Sequence, residues 1–491
     1  MKRSAWPLLA LLLPACAILR TEEPEPPPDP TALTAAVFER IRSNPPWLAA
    51  FLRDMPKGGD LHMHLTGSIY AESYIRWAVE DGLCLERGTL ALVAPPCDPA
   101  AGRLPAAAIP ENATLYGDVI DAWSLRHWHP ARSVGHDQFF QSFLKFRARD
   151  RTGDMLAEVT SRAAGQRIGY LELMLSPRLD AVMALGRGVA WAGEPDSSRA
   201  RLLAAGLVDS LAQVATLLDS AESRWREVQA CETPGADAGC EVAVRYIYQL
   251  LRAMSPEEVF AQIVAGFELA RMDPRVVGFN LVQPEDSPVA MRDFRLHMSM
   301  IDALRPYYPD VPIALHAGEL VEGLVPPEGL RFHIRSSVEQ GHASRIGHGV
   351  SVMHEDDATG LLNLMAERGV LVEVALSSND AILGVRGDRH PLRAYLEAGV
   401  PVALVTDDEG VSRTTLSREF QRAVEEHDLD YWTLRRMARA SLEHSFVEQP
   451  EKERLLAEFD AAAREFEARW SSGPGVAAAA PDAELLEPDL P

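Results

Sequence analysis

Cysteine is scarce in this chain of 491 residues. There are five, Cys16, Cys84, Cys97, Cys231 and Cys240, and no two stand at Cys-x-x-Cys spacing. That argues against a zinc centre built on thiolates. Lysine is scarcer still: Lys2, Lys57, Lys145 and Lys452 are the full set. No apolar run reaches the ~20 residues that a membrane-spanning helix needs. Positive charge is also short, with 48 Lys and Arg against 71 Asp and Glu, a formal charge of −23. A chain so acidic is repelled by phosphate backbones, which argues against a nucleic-acid polymer as partner. What is present is an ordinary globular mixture, 47% hydrophobic and 24% charged, which excludes a mainly disordered or fibrous protein. The length allows about three domains by the usual prior, or one enlarged α/β barrel.

The two ends read as processing and tether rather than fold. Lys2 and Arg3 precede the short apolar run Ala5 to Leu13, the pattern of an export signal over residues 1–20. The run closes on Leu13-Pro14-Ala15-Cys16, which resembles a bacterial lipoprotein processing site except for Pro14. Lipidation of Cys16 and plain secretory cleavage are the two readings, and both place the protein in the cell envelope or outside the cell. Residues 21–32 form a Pro-rich acidic tether, and 471–491 an Ala/Pro/Gly-rich tail with no core of its own. The folded unit is expected over 33–470. Once Cys16 is set aside, the remaining cysteines fall into two local pairs, Cys84 with Cys97 and Cys231 with Cys240. In an oxidising compartment such pairs staple loops; the other reading is four free thiols.

Short apolar runs rich in β-branched residues alternate with helical patterns. The spacing predicts strands at Asp60–His64, Ile168–Leu175, Val244–Tyr248, Val276–Val282, Val311–His316, Arg345–His348, Leu371–Ala375 and Val402–Thr406. Helices are predicted between them, among them Arg199–Val228, Pro256–Arg271, Asp293–Leu304, Asp356–Arg368 and Pro391–Glu397. Alternation of this kind implies a parallel sheet, either a (β/α)8 barrel or a doubly wound sheet. Residues 77–167 and 176–243 are longer than one crossover helix requires, so both are read as helical insertions after the first and second strands. The first carries Phe139, Phe143 and Phe146 at helical spacing. They read either as a helix packed on the barrel or as an apolar wall over a flat ligand.

The polar residues at the strand ends carry the chemistry. His62 and His64 are two apart on one strand and face the same side. His316, His348 and Asp407 end three other strands. In a parallel barrel those ends share one rim, where active sites form. Imidazole and carboxylate are the ligands of a hydrolytic zinc site, which keeps a position open for water. The remaining histidines read as structural or solvated: His127 and His129 in a loop, His342 on an approach to a strand, and His297, His333, His354, His390, His427 and His444 with no neighbouring constellation.

The motifs that hold these residues resemble those of the adenosine deaminase family. They are Met55-Pro56-Lys57-Gly58-Gly59-Asp60-Leu61-His62-Met63-His64-Leu65-Thr66-Gly67-Ser68, then Tyr170 to Pro177, His316-Ala317-Gly318-Glu319, Arg345-Ile346-Gly347-His348-Gly349, Ser377-Ser378-Asn379 and Thr406-Asp407-Asp408. The resemblance runs from Met55 to about Val411 and implies a zinc-bearing (β/α)8 barrel with one ion per chain. It implies that His62, His64, His316 and Asp407 hold the metal. Glu319 is then the protonated acid that gives its proton to the purine nitrogen N1, which requires an enclosed pocket. By the same resemblance His348 orients and deprotonates the attacking water, and Asp408 fixes that water or hydrogen-bonds the purine. The product is the inosine-type purine, with ammonia released. The export signal and long early insertion are similar to the secreted, growth-factor-related branch, from which a homodimer is the implied assembly. Membrane attachment is expected only through a lipid on Cys16.

Three positions depart from the family pattern. Thr66 stands where an Asp contacts the ribose 5′-hydroxyl. Gln283, in Asn280-Leu281-Val282-Gln283-Pro284-Glu285, replaces a Gly that approaches the purine. Glu409 follows the Asp pair where Pro is usual. Thr66 and Gln283 are therefore the candidate substrate-recognition residues, and the expected substrate is adenosine or a related aminopurine nucleoside. Two other readings stand beside this one. Another amidohydrolase-superfamily hydrolase would often bridge two metals with a modified Lys at the fourth strand, but no Lys lies there, so that reading is also mononuclear. A non-catalytic nucleoside-binding lipoprotein is the other, since a fold alone never proves activity.

Overall fold

In the computed structural model, residues 29–129, 135–146, 150–189, 191 and 193–471 are described. The expected export signal, most of the expected tether and nearly all of the expected C-terminal tail lie outside these residues.

Eight parallel strands close into one ring. β1 (Gly58–His64), β2 (Ile168–Leu175), β3 (Ala243–Leu251) and β4 (Val276–Val282) pair in that order. β5 (Ala314–Ala317), β6 (Arg345–His348), β7 (Leu371–Val374) and β8 (Val402–Leu404) form the other half. Parallel bridges join the halves at both seams, Phe279 to Ile313 and Met63 to Asp407. The barrel reading is therefore the correct one of the two, and a doubly wound sheet is not formed. Its strands read as almost unbroken apolar runs because both faces are covered, and every residue of β4 is buried.

The helices form where local signals agree. Pro256–Met272 starts with a capping box between Ser255 and Glu258 and a Pro in its first turn, and buries most of one face against β3 and β4. The expected long helix over Arg199–Val228 is instead two, Pro195–Ala204 and Leu207–Val228, bent by 64°. Gly206 lies between them with φ +90, a left-handed backbone that ends the first helix.

The first insertion is not purely helical. Cys84–Glu86, Ala91–Val93 and Arg103–Pro105 make a small antiparallel sheet ahead of the helices. Strands of three residues are too short to show an alternating pattern in sequence. Cys84, at the start of the central strand of this sheet, is bonded to Cys97, and Cys231 to Cys240 closes the loop after Leu207–Val228. Helix Gly135–Ser142 carries Phe139, and the chain turns after Ser142, so Phe143 and Phe146 leave the helical line. Phe146 stacks on Tyr74 at 4.5 Å and Phe139 is buried, while Phe143 is only partly covered.

Candidate active site

The C-terminal ends of the strands deliver four side chains able to bind a metal to one point. His62 and His64 leave β1 on the same face. His62 Nε2 lies 3.1 Å and His64 Nε2 3.3 Å from His316 Nε2. Asp407 Oδ1 is 3.5 Å from His62 Nε2 and 3.3 Å from His64 Nε2. All four donor atoms lie within 4.8 Å of one another.

The outer ring nitrogens decide the protonation. His62 Nδ1 donates to Glu373 Oε2 at 2.7 Å, His64 Nδ1 to Gln249 Oε1 at 2.8 Å, and His316 Nδ1 to Asn280 Oδ1 at 2.9 Å. A neutral imidazole whose proton sits on Nδ1 presents a bare lone pair at Nε2. Three such lone pairs and a carboxylate facing one another repel unless a cation lies between them; failing one, Asp407 and Glu373 outweigh burial and raise His62 to about 10, so that a proton on that ring takes the cation's place. Their spacing matches the edges of a tetrahedron with ~2.1 Å bonds, roughly 3.4 Å. The donor set therefore fits a divalent metal held by His62, His64, His316 and Asp407.

The acceptors behind these rings come from β7, β3 and β4, and the sequence reading assigned none of them a role. Each is a polar residue that interrupts an apolar strand: Glu373 in Leu-Val-Glu-Val, Gln249 in β3 and Asn280 in β4. That interruption is the signal by which they are found. Glu373 is fully buried and is itself held by Arg345, whose Nε lies 2.6 Å from Glu373 Oε1 and whose plane covers Phe446. Asp407 Oδ2 accepts from Ser378 Oγ at 2.6 Å.

The acid–base groups line the same cavity, of about 450 Å³. Burial raises the Glu319 carboxyl well above the usual carboxylate range, and the negative charges of Asp407 and Glu285 add to this. Glu285 accepts from the Gly318 and Glu319 amides at 3.1 and 2.7 Å and from His333 Nδ1, so His333 belongs to the site's support after all. Asp408 is also pushed up, by burial first and then by Asp407, and its Oδ1 has no hydrogen-bond partner among the described residues. His348 Nε2 is 3.7 Å from Glu319 Oε1, and burial lowers its imidazole to about 4, so the ring is neutral.

Two close approaches depend on glycine. A Cβ on Gly347 would sit 2.7 Å from the His62 ring, and one on Gly67 would sit 1.5 Å from Asp408 Oδ1. His348, Asp407 and Gln283 have φ of +67, +62 and +81, so left-handed non-glycine residues cluster around this cavity.

The three departures fall differently. Thr66 and Gln283 both line the cavity. Gln283 keeps the backbone conformation glycine favours, and its Oε1 accepts from the Ala253 amide at 2.8 Å, which leaves its NH2 for the cavity side. Glu409 faces away and binds Arg162 Nε at 2.7 Å and Gln166 Nε2 at 2.9 Å. Phe139, Phe140, Phe143 and Leu144 of the first insertion line the cavity as well, so the aromatic segment both packs and walls the pocket. His127 is exposed against Asp121 and His342 pairs with Asp302, away from the site.

The family model described as adenosine deaminase matches residues 136–462, more than half of the chain. The chain belongs to the adenosine deaminase family. Among its relatives is an adenine deaminase from Sinorhizobium fredii, 32% identical over 224 residues, covering 45% of this chain and 63% of that protein. Another is an adenosine deaminase from Shewanella woodyi, 30% identical over 225 residues, covering 45% of this chain and 61% of that one. The chain thus spans less than two thirds of the length of these curated relatives. Solved structures with the same fold include the N6-methyl-AMP deaminase of Arabidopsis thaliana, with TM-score 0.54, 21% identity and coverage of 85% and 99%. An amidohydrolase from Burkholderia ambifaria with bound zinc has TM-score 0.51, 17% identity and coverage of 86% and 95%.

Proposed function

We propose that the protein is a metal-dependent aminohydrolase that deaminates adenosine or a related aminopurine, with one zinc ion held by His62, His64, His316 and Asp407. The observation that carries this reading is the pairing of that donor set with Glu319, a buried carboxyl raised well above the usual carboxylate range on the wall of the same cavity. Water replaces the exocyclic amine, so aminopurine and water become hydroxypurine, in its keto form, and ammonia. When bound, a divalent metal there makes hydroxide available near neutral pH.

The chain's own residues do the rest. Glu319 gives its proton to a ring nitrogen as the amine-bearing carbon is attacked, which requires the neutral acid that burial preserves. His348 orients the attacking water beside Glu319. Asp408 Oδ1, buried and unpartnered, accepts a hydrogen bond from that water or from the purine. Phe139, Phe140 and Phe143 offer an apolar wall for a flat ring system and exclude bulk water. Thr66 is a neutral hydroxyl at the cavity edge, so recognition beyond the base is weaker than an Asp would give.

The relatives' names divide between adenine and adenosine, and a fold neighbour's names N6-methyl-AMP, so the substrate arms of the test follow those three. Zinc-loaded protein is assayed for ammonia release from adenosine, deoxyadenosine and adenine, and for methylamine release from N6-methyl-AMP. Release from at least one aminopurine is expected; silence on all of them at one zinc per chain sinks the reading. The two disulfides support a working place outside the reducing cytoplasm, in line with the expected export signal and with the secreted branch of the family.

A further inference from the structure

The hydrogen bonds behind His348 continue outward to a backbone amide, and they fix which ring nitrogen carries its proton. The Leu392 N–H donates to His390 Nδ1 at 3.2 Å. A backbone amide is only a donor, so His390 Nδ1 is an acceptor and carries no proton. Burial agrees, holding the His390 imidazole neutral with its pKa lowered to about 3. The ring proton of His390 is therefore on Nε2, which donates to Asn379 Oδ1 at 3.1 Å. With its oxygen engaged, Asn379 turns its NH2 to His348, and Nδ2 donates to His348 Nδ1 at 3.0 Å. His348 Nδ1 is then the acceptor and carries no proton, so the ring's proton lies on Nε2. That nitrogen faces the cavity and Glu319.

This is the reverse of the metal-ligand histidines. His62, His64 and His316 each donate from Nδ1 to an oxygen and present a bare Nε2. His348 alone of the four has an amide NH2 behind it. The chain thus sorts four neighbouring imidazoles into three lone-pair donors and one N–H donor, through the identity of one atom behind each ring.

We infer that Asn379 and His390 are positioning residues that hold His348 as an Nε2–H donor, so that His348 meets the attacking water by donating a hydrogen bond, and the proton that water loses goes to bulk solvent rather than to His348. The inference rests on the deaminase reading for its catalytic consequence. Its structural half, the position of the proton, stands apart from any substrate. It revises the role expected from the sequence, in which His348 deprotonates the water.

The test uses the full chain, metal-loaded, with histidine rings labelled with nitrogen-15. Ring-nitrogen spectra locate the His348 proton, with His348→Ala identifying the signal. The wild-type ring is expected to carry its proton on Nε2. In Asn379→Asp a carboxylate replaces the NH2, accepts from Nδ1–H and moves the proton to Nδ1. Turnover is then expected to fall at least about 100-fold, within the ~10⁴-fold known for a wrongly set catalytic tautomer, while KM shifts by less than about threefold. His390→Leu releases Asn379 and lowers kcat by about 10-fold, whereas His390→Gln, which still donates an N–H to Asn379, restores most of it.

A wild-type spectrum with the proton on Nδ1 overturns the inference. So does an Asn379→Asp enzyme whose proton has moved and whose kcat has not, or a kcat loss that simply tracks loss of metal. If Asn379→Asp fails to fold, the wild-type spectrum and the His390→Leu and His390→Gln pair decide. Absence of turnover on every aminopurine, with the proton found on Nε2, overturns the deaminase reading and supports the assignment of the proton.

Discussion

Glu319 and Asp407 are both buried carboxyls, yet they are driven in opposite directions. Burial and the negative charges of Asp407 and Glu285 raise Glu319 against the pull of Arg252, whereas hydrogen bonds from the imidazoles around Asp407 outweigh its burial and hold it well below the usual range. Two variants separate their roles. Glu319→Gln is expected to keep full metal content and to lose about 10²–10⁴-fold in kcat, because an amide has no proton of that acidity to give. Asp407→Ala is expected to lose metal, read by elemental analysis of the purified protein. Normal metal in the second variant, or substantial turnover in the first, contradicts the assignments. These groups were legible in the sequence because each stands at the end of its own strand. The partners of the outer nitrogens of His62, His64, His316 and His348 were not. Glu373, Gln249, Asn280 and Asn379 become partners only through the register of neighbouring strands and the fold of the β7 loop. His390 and His333 show the same limit: nothing nearby in the chain announces their roles.

At the scale of elements, the sequence placed every barrel strand to within a few residues but did not show the small sheet of the first insertion. That sheet reaches the pocket through two bonds. Trp123 Nε1 donates to Leu90 O at 2.6 Å, and the Leu92 amide donates to Lys145 O at 2.7 Å, next to the segment that carries Phe143 and Phe146. The Cys84–Cys97 disulfide closes a loop of sequence separation 13 from the start of its central strand. Replacing both cysteines with Ser is expected to cost about 3 kcal/mol of stability. It should also raise KM while leaving metal content unchanged, measured by thermal melting, steady-state kinetics and elemental analysis. An unchanged KM would show that the sheet does not brace the wall. Phe143→Ala, which removes wall without touching the sheet, is expected to raise KM about 10-fold, the weight of one apolar side chain withdrawn from contact; an unaltered KM for every substrate removes it from the pocket wall.

Across the whole molecule, one buried charge sits at the end of the barrel opposite the site. Lys57 enters β1 with its Nζ donating to the carbonyls of Met55 and Gln166, and burial lowers it to about 7. Its unfolded value is 10.5, so between about pH 7 and 10.5 the unfolded chain binds the extra proton. Stability from this group therefore rises with pH through that window and is lowest below pH 7. Lys57→Met is expected to flatten that rise, read as denaturant midpoints at pH 6.5 and 9; an identical slope in the variant contradicts it. The barrel's other seam gives a different kind of consequence. The bridge between Met63 and Asp407, with the Asp407 amide bonded to His62 O and the His64 amide to Asp407 O, joins the first strand of the ring to the segment that follows the last. Three of the four metal donors lie on that seam or beside it. During synthesis the histidines of β1 emerge long before their carboxylate, and a nascent chain that stops short of residue 407 holds an incomplete clasp. Tight capture of a metal by these four residues would thus report that the ring has closed, a late timestamp on folding.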